Sequence, residues 1–250
     1  MFVYKICIYL CVRITLRMSQ NKKYRYEYER PALATDCVIF GFDGGELKLL
    51  LIEREKEPFK NKWALPGGFV FMEETTEECA KRILLEKAGV KNVFVEQLYT
   101  FSDIDRDPRE RIVSVAYFAL VDKHQYEVIA GRDTLKAEWF ELSKLPKLAF
   151  DHTKIVKAAF QRLKGKVSYQ PIGFELLNEK FTLSQLQALY ESILEIEIDK
   201  RNFRKKILGM GFLKALEEKE KNVAHKAARF YSFDKKVYKE LTQKGFHFEL

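Results

Sequence analysis

"GGFVFMEETTEECAKRILLEKAGV", residues 67–90, joins the end of an extended segment, "KWALPGGFV" (62–70), to a helix. Thr75 opens that helix and Glu78 stands three residues on. At this spacing the Thr hydroxyl and the Glu carboxylate can each accept a backbone N–H that the first turn leaves free.

Working outward, strand patterns surround this helix. "ATDCVIFGF" (34–42) and "ELKLLLIERE" (46–55) flank Asp43-Gly44-Gly45, a hairpin signature because such turns need positive φ. "NVFVEQLYTF" (92–101), "RIVSVAYFALV" (111–121) and "AEWFEL" (137–142) read as further strands, and "DHTKIVKAAFQRLKGK" (151–166) as a helix capped by Asp151. Strands with helices between and after them predict an α/β sandwich, a mixed sheet with flanking helices, over residues 25–165. From residue 174 the pattern changes. Leu183, Leu186, Tyr190 and Ile193 recur at helical spacing behind a second Thr-x-x-Gln cap, Thr182 and Gln185. Asp199 caps "KRNFRKKILGM", and "FLKAL" and "AARFYSF" enclose the polar loop "EEKEKN". Helix, turn, helix, hairpin is the element order of a winged helix-turn-helix, assigned here to 174–250. "KVSYQPIG" (166–173) is the expected linker, with Pro171 and Gly173 marking the hinge.

A chain of 250 residues that is 47% hydrophobic can bury a substantial core, and its net charge of +8 favours a polyanionic partner only weakly. Cys7, Cys11, Cys37 and Cys79 form no CxxC pair, and no His stands at ligand spacing, so reduced thiols in a cytoplasmic protein are expected. The apolar N-terminus has its longest uncharged run from Ile6 to Val12, far short of the roughly 20 residues a membrane span needs. Residues 1–24 are expected to be a non-native or disordered extension, with Met18 the true start.

The spacing of Gly68, Glu74, Arg82, Leu84, Gly89 and Val90 resembles the Nudix box, and "WALPGGFV" precedes it as it does in that family. The resemblance implies three carboxylates on one helical face, at positions 83, 86 and 87, holding divalent metal ions that polarise a diphosphate and activate water. Here those positions hold Ile83, Glu86 and Lys87. An ammonium about 4 Å from a divalent ion is repelled by several kcal/mol even at an effective dielectric of about 20. The box therefore reads as vestigial (Gly68, Glu74, Arg82, Glu86), with Glu86 pairing Arg82 one turn away. No metal and no cofactor are expected.

"DIDRDPRERIVSVAYFALV" (103–121), "LAFDH" (148–152) and "FTLSQLQALYESIL…DKRNFRKKIL" (181–208) extend the resemblance to the Nudix-related transcriptional regulators, from about residue 25 onward. That family implies a homodimer on palindromic double-stranded operator DNA, controlled by a small molecule in the Nudix-like half, either ADP-ribose or a pentose sugar.

The DNA-binding expectation also stands on the residues alone. On a helical wheel from Asp199, Phe203 and Ile207 share one side, and Arg201, Asn202, Lys205 and Lys206 the other, as a helix that packs and reads bases requires. Residues 199–229 hold 10 Lys+Arg against 4 Asp+Glu, whereas 182–198 hold three acids and no base. The expected contacts are Lys200, Arg201, Asn202, Arg204, Lys205 and Lys206 on the helix. Lys219, Lys221, His225, Lys226 and Arg229 are expected on the wing. A solvated basic helix of a partner-binding domain is the bland alternative. For the effector, Arg106, Arg109, His152 and Lys87 are candidates. The loop "DIDRDPRER" can bind a phosphate or sugar, or can be a self-paired surface turn, and His152 can line a pocket or simply pack. The reading adopted is a ligand-responsive transcriptional regulator. The alternatives are a Nudix hydrolase of ADP-ribose or a related nucleoside diphosphate-sugar, and a sensor acting through a protein partner.

Overall fold

Gly44 and Gly45 take φ angles of 61° and 83°, the left-handed geometry of a tight turn. They join β1 (Ala32–Asp43) to β2 (Glu46–Arg54), which pair antiparallel from Phe40↔Leu49 to Asp43↔Glu46. The computed structural model describes residues 27–221, 227–246 and 248; the expected extension (1–24), His225 and Lys226 lie outside them. On the N-terminal side of Phe40 the two strands part. β3 (Trp63–Ala64) then pairs with β2, and β4 (Gly67–Phe69) with β1. β6 (Ile112–Leu120) runs parallel to β1 on its other side, with β5 (Glu96–Phe101) antiparallel beyond it, while β7 (Thr134–Glu141) flanks β2. The seven-stranded mixed sheet thus opens between β1 and β2, and that opening positions the site.

Strand alternation decides what covers the sheet. Val38, Phe40 and Leu49 pack with Ile155, Val156, Ala159 and Leu163 of α2 (His152–Tyr169); Cys37, Ile39 and Leu50 pack with Ala80, Leu84 and Ala88 of α1 (Thr76–Ala88). Thr75 and Glu78 form both halves of the predicted capping box, and Gly89 ends α1 in the left-handed conformation.

Two features of α2 differ from expectation. Asp151 stands at its N-cap, but its carboxylate makes no capping bond, because Arg106 holds both of its oxygens. The expected linker 166–173 is ordered rather than extended. Val167 extends the i,i+4 series Ile155, Ala159, Leu163 and is fully buried, so the helix continues to Tyr169. A 3-10 turn, Pro171–Leu176, follows and buries Gly173, Phe174 and Leu176.

The C-terminal half contains β8 (Phe181–Thr182), α3 (Leu183–Leu194), α4 (Lys200–Gly209), β9 (Leu213–Lys219), β10 (Arg229–Phe233) and α5 (Lys235–Gln243), with strand order β8-β10-β9. Helix, helix and hairpin follow the winged-helix expectation, including the Thr182–Gln185 box and the Asp199 cap. β8 and α5 were not read from sequence. α3 buries Leu186, Leu189, Tyr190 and Ile193 completely, the three aliphatic side chains contributing about 1.5–3 kcal/mol each. They belong to the same apolar cluster as Phe40 and Leu163, which runs on to Phe203, Ile207 and Phe212. The Leu47 N–H donates to Ser192 Oγ across the seam (3.0 Å), and Lys164 pairs with Glu195 (2.5 Å). No described helix is long and apolar enough to cross a membrane.

Candidate effector cleft and nucleic-acid interface

The opening between β1 and β2 is a cleft of about 290 Å³, floored by β4 and walled by α1, the 106–109 loop, the 132–133 loop and the start of α2. Gly67 and Gly68 permit the floor. A Cβ at Gly67 would lie 2.2 Å from Asp36 Oδ1, and one at Gly68 would lie 3.2 Å from Ile83 Cδ1. Ile83 is buried (1% exposed), so hydrocarbon fills the box position where a carboxylate would reach the cleft.

The remaining box acids serve an arginine. Arg82 donates from Nε and Nη2 to the two oxygens of Glu74 (2.8 and 2.6 Å), from Nη2 to the Phe69 carbonyl (3.0 Å) and from Nη1 to Glu86 (3.3 Å). Its guanidinium lies over the Phe71 ring, 3.9 Å from the centroid. The Arg82 hydrogen bond holds the Glu74 carboxyl at about 2 against a smaller opposing effect of burial. Glu86 also faces Arg132 at 3.9 Å. A divalent ion needs several converging oxygen ligands, and among the described residues no three His, Cys, Asp or Glu side chains converge to supply them. The residues present do not fit the metal that the box implies.

On the opposite wall, Arg106 is buried (8% exposed). It donates to Asp151 from Nε and Nη2 (3.0 and 2.7 Å) and to Asp36 from Nη2 (3.2 Å). Asp36 also accepts from Ser114 Oγ (2.6 Å) and faces His152 Nε2 at 3.4 Å. His152 Nδ1 accepts from the Leu65 N–H (2.9 Å), so a neutral ring carries its proton on Nε2, toward Asp36. Burial would raise the Asp36 carboxyl, but His152, the Ser114 hydroxyl and Arg106 outweigh it and hold it at about 2. Both ring nitrogens of His152 are therefore engaged, and Arg106 is committed to two carboxylates. These two predicted effector contacts line the cleft as parts of its wall, with their polar atoms turned toward protein partners.

The loop around them is paired partly with itself, one of the two readings its sequence allowed, and partly with α2. Arg109 clasps Asp107 through Nε and Nη2 (2.9 and 2.7 Å), and Lys154 pairs with Asp103 (2.5 Å). Arg109 still faces the cleft, its guanidinium 5.2 Å from the Phe69 ring centroid and 5.7 Å from that of Phe150.

Seven Lys and Arg residues line the cleft: Arg54, Lys56, Arg82, Lys87, Arg106, Arg109 and Arg132. Five have a carboxylate oxygen within 4.0 Å. Arg54 and Lys87 have none among the described residues. Arg54 is held by two backbone carbonyls, Nε to Pro58 (2.9 Å) and Nη2 to Lys56 (3.3 Å), and lies over the Phe150 ring, 4.8 Å from the centroid. Burial lowers the Lys87 pKa, with Asp133 opposing and Arg54 reinforcing; burial and then Arg109 depress that of Arg54. Sequence reading singled out Lys87 and missed Arg54, which looks like the polar end of a strand. Asp36, a lone acid in an otherwise apolar strand, was the readable signal for the buried network. A larger cavity of about 790 Å³ lies at the seam between the halves, lined by Leu47, Val156, Phe160 and Ala188 among others, with Lys147 and Lys157 as its only cations. It contains none of the box residues.

In the C-terminal half, α4 turns Phe203 and Ile207 inward and leaves Lys200, Arg201, Asn202, Lys205 and Lys206 exposed. Arg204 is half-buried, donating from Nη2 to Ser184 Oγ on α3 (3.2 Å), which ties it to the scaffold. Lys219, Lys221 and Arg229 are exposed on the hairpin. The exposed α4 side chains and the wing form a basic surface suited to phosphates and base edges.

Comparison with known proteins agrees with both halves. Residues 30–159 match the model of the NUDIX domain, and residues 173–233 that of the NrtR DNA-binding winged helix domain. The chain is 36% identical over 231 residues to the "ADPR responsive transcriptional repressor NtrR" of Acinetobacter baylyi, across 90% of this chain and 92% of that one. It is 44% identical over 142 residues to the "ADP-ribose pyrophosphatase" of Methanocaldococcus jannaschii, across 57% of this chain and 80% of that one. Among solved structures, Shewanella oneidensis NrtR complexed with a 27mer DNA superposes with a TM-score of 0.70 at 30% identity, covering 86% of this chain and 97% of that one. A Nudix fold followed by a winged helix of this kind defines a ligand-responsive transcriptional regulator. The chain belongs to the Nudix-related transcriptional regulators, the family of the NrtR repressors.

Proposed function

We propose that this protein is a repressor that binds double-stranded operator DNA through α4 and the β9–β10 wing, and whose affinity changes when ADP-ribose enters the cleft of the Nudix half without being hydrolysed. Residues 25–165 act as the sensor and 174–250 as the DNA reader, with a homodimer on a twofold-symmetric operator. The observation that carries the DNA half is the exposed Arg201, Asn202, Lys205 and Lys206 face on a helix whose other face is buried. The relatives' names support ADP-ribose, and the cationic cleft favours it over a pentose, which carries no charge to match.

α2 supports coupling. It starts at the cleft wall, where Arg106 grips Asp151, and packs along α3 as part of one core. A ligand shifts DNA affinity only through different affinities for two conformations, and DNA must shift ligand affinity by the same factor. Titrating labelled operator with and without ADP-ribose tests this, and a change of roughly 5–150-fold is expected. Pentoses should have no effect. If saturating ADP-ribose leaves operator affinity unchanged, the sensor reading fails.

The second reading, an ADP-ribose hydrolase, draws on the 44% identity to a pyrophosphatase. Ile83 and Lys87 at two of the three metal-ligand positions oppose it.

A further inference from the structure

We propose that Lys87 and Arg54 together replace the divalent metal of the Nudix cleft, so that the cleft takes a diphosphate diester without any metal ion. This rests on the effector reading above for the identity of the ligand, but the charge argument stands on the cleft itself.

An unpaired cation removed from water is disfavoured unless a counter-charge arrives. The cleft is lined by two partly buried cations of this kind, Lys87 and Arg54. The Lys87 ammonium makes no hydrogen bond or ion pair with any described residue, and Arg54 is positioned by the carbonyls of Pro58 and Lys56 and by the face of the Phe150 ring, 4.8 Å from its guanidinium. Each lacks a carboxylate within 4.0 Å, although every other cation of the cleft has one. Burial acts against both charges, with Arg109 adding repulsion at Arg54; at Lys87 the more distant Asp133 opposes burial and Arg54 reinforces it. A diphosphate diester brings two negative charges, one for each. The acids that would compete for these cations or recruit a metal are engaged elsewhere: Glu74 by Arg82, and Glu86 by Arg82 and Arg132. Ile83 packs against Gly68 instead of presenting an oxygen. Lys87 thus stands at a box position built for a metal ligand and supplies the positive charge directly. Arg54 adds a planar donor fork suited to phosphate oxygens.

Calorimetric titration of the full chain with ADP-ribose, in EDTA and in excess magnesium, tests the inference. Affinity is expected to be the same in both within about twofold, well below the tenfold that 1.4 kcal/mol represents. Lys87→Met should weaken binding roughly 10–100-fold, the effect of losing a hydrogen bond to a charged group, and Arg54→Met similarly. Lys87→Glu should bind more weakly in EDTA than Lys87→Met, an order that lost packing alone does not produce. Unchanged thermal unfolding of each variant shows that the fold is intact. Binding that disappears in EDTA, or a Lys87→Met variant with native affinity, overturns the proposal. If ADP-ribose fails to bind in either medium, inorganic pyrophosphate is the second probe. Pyrophosphate held through Lys87 in EDTA would keep this inference and sink the effector reading, and no binding of either anion in EDTA would sink this one.

Discussion

Lys219 and Arg229 stand directly opposite each other in register across β9 and β10. Like charges at a directly paired position destabilise a sheet by a few tenths to about 1 kcal/mol, and a phosphate placed between them removes that cost. Arg229→Ala should therefore leave thermal stability unchanged or slightly raised while weakening binding to every duplex alike. The slope of log affinity against log salt should fall by about 1. Anisotropy titrations of operator and scrambled duplex at several salt concentrations check this. A loss confined to the operator would mean that Arg229 reads a base.

The exposed face of α4 divides its labour by chemistry. Arg201→Ala and Asn202→Ala should each cost about 1–3 kcal/mol on the cognate site and relax one base position, because Arg matches guanine and Asn adenine through paired hydrogen bonds. Lys205→Ala should weaken all sequences and flatten the salt dependence. Triple alanine replacement with unchanged operator affinity would show that α4 is not the reader.

Catalysis is expected to be absent at the box. Glu86 accepts from Arg82, and its neighbours in the metal-ligand pattern are Ile83 and Lys87. With magnesium, the purified chain should turn over ADP-ribose no faster than its Glu86→Gln variant, measured by release of AMP. Turnover that requires both magnesium and Glu86 would restore the hydrolase reading.

The buried network predicts an acid limit to stability. Asp36 has a folded pKa of about 2 against an ordinary 3.8, so the folded state favours its ionised form. That stabilisation is complete above about pH 4 and is lost as pH falls toward about 2. Asp36→Asn should remove this contribution in urea melts and leave that of Glu74, which Arg82 also holds at about 2. Arg106→Ala should cost about 3–5 kcal/mol by stranding Asp36 and Asp151, whereas Arg109→Ala, on a side chain 41% exposed, should cost less than about 1.

Tyr190 is fully buried in the core shared by the two halves, and its hydroxyl has no partner among the described residues. Burial raises its pKa. Leaving a buried donor unmade costs about 1–3 kcal/mol, so Tyr190→Phe should stabilise the protein by about 1 kcal/mol in a denaturant titration. Destabilisation would show that the hydroxyl is satisfied.

What was legible in the sequence followed short-range rules. The Asp43-Gly44-Gly45 turn, the Thr75–Glu78 and Thr182–Gln185 boxes and the division of α4 into a buried Phe203/Ile207 side and a basic side each involve residues within a few positions of one another. What was missed is long-range. Asp151 reads as a helix cap, yet Arg106, 45 positions away, takes its carboxylate. His152 lines the cleft, one of the two readings its sequence allowed, but the Leu65 N–H and Asp36 that occupy its ring lie 87 and 116 positions away in sequence and could not be read locally. Pro171 and Gly173 read as a hinge because they break helices locally, but Val167 and Phe174 are held by the core around them. Arg54 carries no local mark, since what sets it apart is spatial: no described carboxylate lies within 4.0 Å of it, although Asp107, Asp36 and Glu57 act on it from farther off.

The apolar cluster that runs from Phe40 through Leu163 and Tyr190 to Phe212 gives sensor and reader a common melting fate. Anything that binds the folded form protects the whole of it by mass action. Operator DNA should therefore shield the cleft from heat and protease, and ADP-ribose should shield the wing, even though neither touches the region it protects. A chain cut after Gly165 would bare the α2 surface that α3 covers, so each half loses its protection when separated from the other.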